Sequence, residues 1–232
     1  MKKYFIKYLF STALSMLFIL CSSSLSTTIA QPKDTPDSVR FKALGCLYRA
    51  IQSLNDRNVR FKSLQVELED MHPLEPQSMD SLHFAQNLIK VSKYLLFLES
   101  HRTQITRNTR FFSDSIQKFE ALMAREEEKK SLAKFLTAYK EESTAFIGYS
   151  QRLSLMLTDI RNALFFLQTV PMERKGNDIT FNTDRSANEK YLDFESKITA
   201  EQMQVDRAIE KMIKLTEKEN VAIQASITLL NK

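Results

Sequence analysis

The chain has 232 residues, 43% of them hydrophobic, 26% charged and only two of them cysteine, with a formal net charge of +5. With 3 glycines and 5 prolines, long stretches contain no helix breaker, which leaves strands almost no room to form. The same composition argues against a disulfide scaffold and against a phosphate-binding, nucleophile-elbow or Cys-x-x-Cys enzyme, since none of those motifs occurs.

The amino terminus reads as a cleaved export signal: Lys2, Lys3 and Lys7, an uncharged stretch from Tyr8 to Cys21, then Thr28-Ile29-Ala30 before Gln31. The stretch is short for a membrane span, which needs about 20 apolar residues. Cleavage is expected after Ala30, leaving an exported, periplasmic or secreted chain of one domain from residue 31 to 232. Two rival readings are a lipoprotein acylated at Cys21, against which Leu20 in the preceding position argues, and an uncleaved anchor. Loss of residues 1–30 removes three lysines and no acid, so the net charge falls to +2. That balance gives no reason to expect nucleic acid, whose binding needs a concentrated basic face. The local cluster Lys90, Lys93, Arg102, Arg107 and Arg110 reads as a solvated helix face. Cys46, the one cysteine left, lies in an apolar stretch and is expected to be small and buried.

The remaining pattern predicts an all-α fold, an elongated antiparallel up-down-up-down four-helix bundle with helices over about 37–71, 78–124, 131–170 and 187–230. The first should start at Thr35-Pro36-Asp37, with threonine as cap and proline in the first turn. Its apolar face is Leu44, Leu47, Ile51, Leu54, Phe61, Leu64, Leu68 and Met71, with Asn58 in the seam. The second carries a ladder of alternating three- and four-residue steps from Leu88 to Met123, in which Arg102 and Thr109 are polar. The third carries the most regular coiled-coil-like ladder, from Leu132 through Phe135, Tyr139, Phe146, Tyr149, Leu153 and Ile160 to Val170, interrupted only by Glu142.

Between these two helices the seam loses phase, which points to a tight turn at 124–131; an unbroken helix or a break at 106–113 are the alternatives. The fourth helix opens on a Ser186-x-x-Glu189 capping box and has a looser seam, with Glu201, Glu219 and Ser226 intruding. Buried charges need partners, and layer counting pairs Arg102 with Asp206 or Glu201 as a register device.

Short joints bring the 72–77 and 171–187 connections to one end of the bundle. The first joint holds Met71, His72, Met79 and His83, thioether and imidazole groups of the kind that bind copper, and these four are the candidate metal ligands. The second is long enough to be functional, and Asp178-Ile179-Thr180-Phe181 within it could form an edge strand or grip a partner. No catalytic or cofactor-binding residues are assigned. The expected function is that of a non-enzymatic interaction or structural module with a protein partner, using the loop end as working surface. The alternative is a periplasmic copper-binding protein using the Met/His cluster. No nucleic acid and no membrane span in the mature chain are expected, and a homo-oligomer is compatible with the pattern.

Overall fold

The computed structural model describes residues 35–69, 81–175, 178–181 and 185–231. Four long helices account for nearly all of them: α1 (Pro36–Glu69), α2 (Ser81–Leu122), α3 (Glu126–Thr169) and α4 (Arg185–Leu230). The fold is all-α. At 1.5 Å per residue, helices of 34 to 46 residues are about 50 to 70 Å long. Residues 1–34, which include the export-signal pattern, lie outside the described residues.

The start of α1 follows from its sequence. The backbone N–H of Ser38 donates to Thr35 Oγ1 at 3.3 Å, and Pro36 takes the first helical position, where its missing donor costs nothing. The joint between α2 and α3 is shorter than the phase slip predicts. Only Met123–Arg125 interrupt the helices, and α3 is already under way at Glu126, so neither the unbroken helix nor a break at 106–113 occurs. Electrostatics supplies the reason: Arg125 is extended and offers no side-chain cap, but Glu126, Glu127 and Glu128 place negative charge against the positive end of the helix. Lys129 pairs with Glu126 at 2.7 Å. At the far end of α3, Val170 turns extended, as the residue before Pro171 must.

Two short strands, β1 (Glu173–Lys175) and β2 (Asp178–Thr180), pair antiparallel, with Glu173 opposite Thr180. The expected edge strand over 178–180 therefore forms, but its partner is the segment just before it. Phe181, immediately after β2, is buried with its ring centroid 5.7 Å from both Phe166 and Tyr191, which ties the hairpin to α3 and α4.

Side-chain contacts order consecutive helices in opposite senses. Asn108 donates to Ser53 at 2.7 Å and Tyr94 to Glu67 at 2.7 Å, so α1 and α2 are antiparallel. Arg102 meets Ser154 while Phe112 meets Tyr139 across α2 and α3. The pairs Ser131–Ser226, Glu141–Lys218 and Arg152–Glu201 order α3 and α4 in the same way.

The ladders bury as predicted. Leu132, Phe135, Tyr139, Glu142, Phe146, Tyr149, Leu153, Ile160, Ala163 and Leu167 of α3 are all buried, as are Val91, Leu98, Ile105, Phe112 and Ile116 of α2. The core nevertheless divides into two apolar clusters. One contains Phe61, Phe84, Phe146, Tyr149, Leu157, Leu164, Phe181 and Tyr191; the other contains Ala43, Cys46, Leu47, Ala50, Ile116, Phe135, Ala138 and Ala222. Charged residues separate them.

Candidate functional site

The layer between the two clusters is built around Arg57 of α1 and Glu142 of α3. Both are buried, Glu142 completely, and Arg57 grips the carboxylate with two N–H groups, Nη1 to Oε2 at 2.8 Å and Nη2 to Oε1. The guanidinium carbon also stands 4.4 Å from the Phe146 ring centroid, where the ring face attracts a cation. The bidentate attraction between the two buried charges offsets much of the cost of taking them out of water. The Thr216 hydroxyl of α4, which donates to the Met212 carbonyl at 3.0 Å, also lies 3.4 Å from Glu142 Oε1.

Glu219, one helical turn beyond Thr216, completes the layer from α4. It is fully buried, and neither carboxylate oxygen has a hydrogen-bond partner among the described residues. Burial pushes its carboxyl up to about 8; the negative Glu142 adds to the rise and Arg57 opposes it. At neutral pH Glu219 is therefore mainly protonated, and one arginine faces one carboxylate. The Tyr139 phenol is raised by the same burial, with Arg57 countering and the two carboxylates reinforcing the shift.

Two sequence expectations change here. Arg57, not its neighbour Asn58, occupies the seam of α1; Asn58 is only half-buried. Arg102 does not pair with Asp206 or Glu201. It bonds the Ser150 carbonyl at 3.2 Å, Ser150 Oγ at 3.4 Å and Ser154 Oγ at 2.7 Å, while Glu201 faces Arg152 and Asp206 accepts from Gln202. The long Arg102 stem reaches the adjacent helix α3, whose two serines satisfy it without a second buried charge. His101, unassigned from sequence, is buried, stacked on Phe97 at 4.6 Å and edge-on to Phe61 at 5.2 Å. Burial and the nearby Arg60 and Arg57 lower its pKa, so the imidazole stays neutral.

Of the candidate metal ligands, Met71, His72 and Met79 lie outside the described residues, and so does the side chain of His83, whose backbone is in the first turn of α2. No group of three His, Cys, Asp or Glu side chains is placed to hold a metal ion among the described residues. Met172, in the second joint, is partly buried against the aromatic cluster. Cys46 is fully buried, and burial raises its thiol pKa.

Two concavities open on the surface. The first, between α1 and α2, has a volume of about 310 Å³ and reaches the charged layer at Arg57 and Tyr139. The second is a shallower groove of about 800 Å³ between α3 and α4. Ala145, Gly148 and Ala208 give it a low floor, and Lys140, Arg152, Arg207 and Lys211 line it with positive charge against the single acid Glu141. Glu141 is already paired with Lys218 at 2.6 Å. No helix among the described residues is long and apolar enough to cross a membrane.

Comparison with protein-family models, with characterised proteins and with solved structures finds no match, so the functional reading rests on these side chains.

Proposed function

We propose that the protein is an exported, non-enzymatic interaction module, an elongated antiparallel up-down-up-down four-helix bundle that binds a protein partner. The observation that carries this reading is Gly148. A glycine inside a helix is less stable than alanine by about 0.5–1 kcal/mol, and it usually persists where something must approach closely. A Cβ built on Gly148 would meet no atom within 4 Å, so packing within the described chain does not require the missing side chain.

The α3–α4 groove around it fits an amphipathic helix laid in lengthwise. Small residues allow close approach, and Lys140, Arg207 and Lys211 stand without an ion-pair partner among the described residues, which favours an acidic segment. This surface lies along the shaft. The 72–77 part of the expected loop-end surface falls outside the described residues, and in the second joint Phe181 is buried in the core. Export is supported by the amino-terminal pattern alone.

A photo-crosslinker at the exposed Thr144, used in the native host, tests the proposal. The expected product is a heterologous protein whose crosslinked peptide is an acidic helix, with capture lost in the Arg207→Glu/Lys211→Glu variant. Capture unaffected by that charge reversal, no crosslink at all, or a crosslink only to a second copy of the chain would each overturn it.

A further inference from the structure

The cavity between α1 and α2 is a different surface from the partner groove, and its chemistry is that of a small-molecule site. Its deep wall is apolar: Leu54, Ile105, Phe112 and Tyr139 are all buried and all line it. At about 310 Å³ it is at the lower end of the range for ligand pockets, which suits a compact molecule of one ring.

The polar side is arginine. Arg49 and Arg60 line the mouth, both exposed, and neither has an ion pair among the described residues. Arg49 is held over Phe111 at 5.9 Å and bonded through Nε to the Gly45 carbonyl at 3.3 Å, which leaves its terminal N–H groups available. Arg57 lines the cavity further in. Its two terminal nitrogens are committed to Glu142, but its buried Nε–H has no acceptor among the described residues. A buried donor without an acceptor carries a desolvation cost that an incoming oxygen would relieve.

Charge counting narrows the ligand. Arg57 is balanced by Glu142, and the neighbouring His101 is held neutral by burial and by the arginines themselves. Of the two free arginines, one is offset by the exposed Asp56 at the same mouth. One positive charge remains, enough for a monoanion and too little for a dianionic phosphate ester, which would also face Asp56. Guanidinium groups offer a carboxylate paired, planar donors that an ammonium cannot.

We infer that the α1–α2 cavity binds a small aromatic or branched monocarboxylate, with the carboxylate at Arg60 and the Arg57 Nε–H, one helical turn apart on α1, Arg49 adding positive charge at the far side of the mouth, and the apolar body against Phe112 and Tyr139. The site joins three of the four helices, so a ligand there also braces α1 against α2 and α3.

Titration of the full chain with benzoate, phenyl phosphate and benzyl alcohol, read by calorimetry and by the nuclear magnetic resonance signals of Tyr139 and His101, tests this. Benzoate is expected to saturate at millimolar or lower concentration, shift both residues, and bind about tenfold or more tightly than the alcohol or the phosphate ester. The Arg49→Gln/Arg60→Gln variant alters only exposed side chains, so it should melt as the parent does and lose at least about tenfold in benzoate affinity. Lys211→Gln, in the other groove, should leave benzoate binding unchanged. The inference is overturned if benzoate does not saturate, if benzyl alcohol or phenyl phosphate binds as well, or if the double arginine variant keeps the parent affinity.

Discussion

The two halves of the core solve the same packing problem with different parts. Toward the hairpin, rings fill the space: Phe61 lies edge-on to Phe146 at 4.4 Å and near Phe97 and Tyr149, while Phe166, Phe181 and Tyr191 form a second group. Toward the α2–α3 turn, the buried faces include Ala43, Cys46, Ala50, Ala138 and Ala222, with Phe135 and Tyr139 as the large members. Rings supply much buried area from few residues, whereas small side chains let helix backbones approach and leave little room for adjustment. A bidentate ion pair between such unlike halves forms at only one axial offset of α1 against α3. That makes Arg57 and Glu142 a device for axial register, a role buried polar groups fill in other helical assemblies.

The sharpest way to break this arrangement is to remove one charge. Arg57→Met leaves the Glu142 carboxylate buried and unpaired, and denaturant unfolding should show a loss of about 3–5 kcal/mol. The double variant Arg57→Met/Glu142→Leu should recover most of that loss, because an apolar layer has no charge to desolvate. If the single variant is neutral, the layer does not hold the halves together.

Glu219 gives the next largest effect, and its sign follows from linkage. The folded-state pKa, about 8, lies above the ordinary carboxyl value of 4.5, so the folded chain holds the proton more tightly than the unfolded chain. Stability from this group is complete below the unfolded value and is lost as pH rises toward and through the folded one. Glu219→Gln mimics the protonated acid. The variant should match the parent near pH 5 and exceed it by roughly 2–4 kcal/mol at pH 9, measured by chemical unfolding at both pH values. A parent and variant that keep a constant difference across this range would mean that Glu219 is ionised in the folded chain.

Ala50→Leu probes the small-residue half. Ala50 is fully buried, so three added carbons should cost about 1–3 kcal/mol. The same substitution at the half-buried Ala145, in the open groove, should cost far less. Gly148→Ala gives the smallest change and the opposite sign. It should raise stability by about 0.5–1 kcal/mol in thermal unfolding, because open space receives the methyl group.

Much of the shaft was legible in the amino-acid order. The α3 ladder appears in the core as read, with Glu142 at a seam position, because residues three and four apart share a helix face whatever the neighbours do. The candidate sites were less legible. Layer counting gave Arg102 an acidic partner on α4, where side-chain reach leads it to two serines on α3. Between Leu54 and Phe61 the three–four spacing admits either Arg57 or Asn58 in the α1 seam, and only the buried partner on α3 selects the arginine. The concavities had no sequence signal, since Arg49 and Arg60 look like ordinary solvated charges until α2 lies beside them.

The sequence by itself determined four long helices, their caps at Thr35 and before Pro171, and the faces that turn inward, all consequences of interactions within a few residues. Tertiary structure alone decided that Arg57 meets Glu142, that Glu219 is buried beside them as an acid, and that two unlike grooves open on the shaft. Periodicity specifies which face of a helix is buried, but the axial offset between helices is set by the mutual packing of all four, and charge pairing depends on that offset.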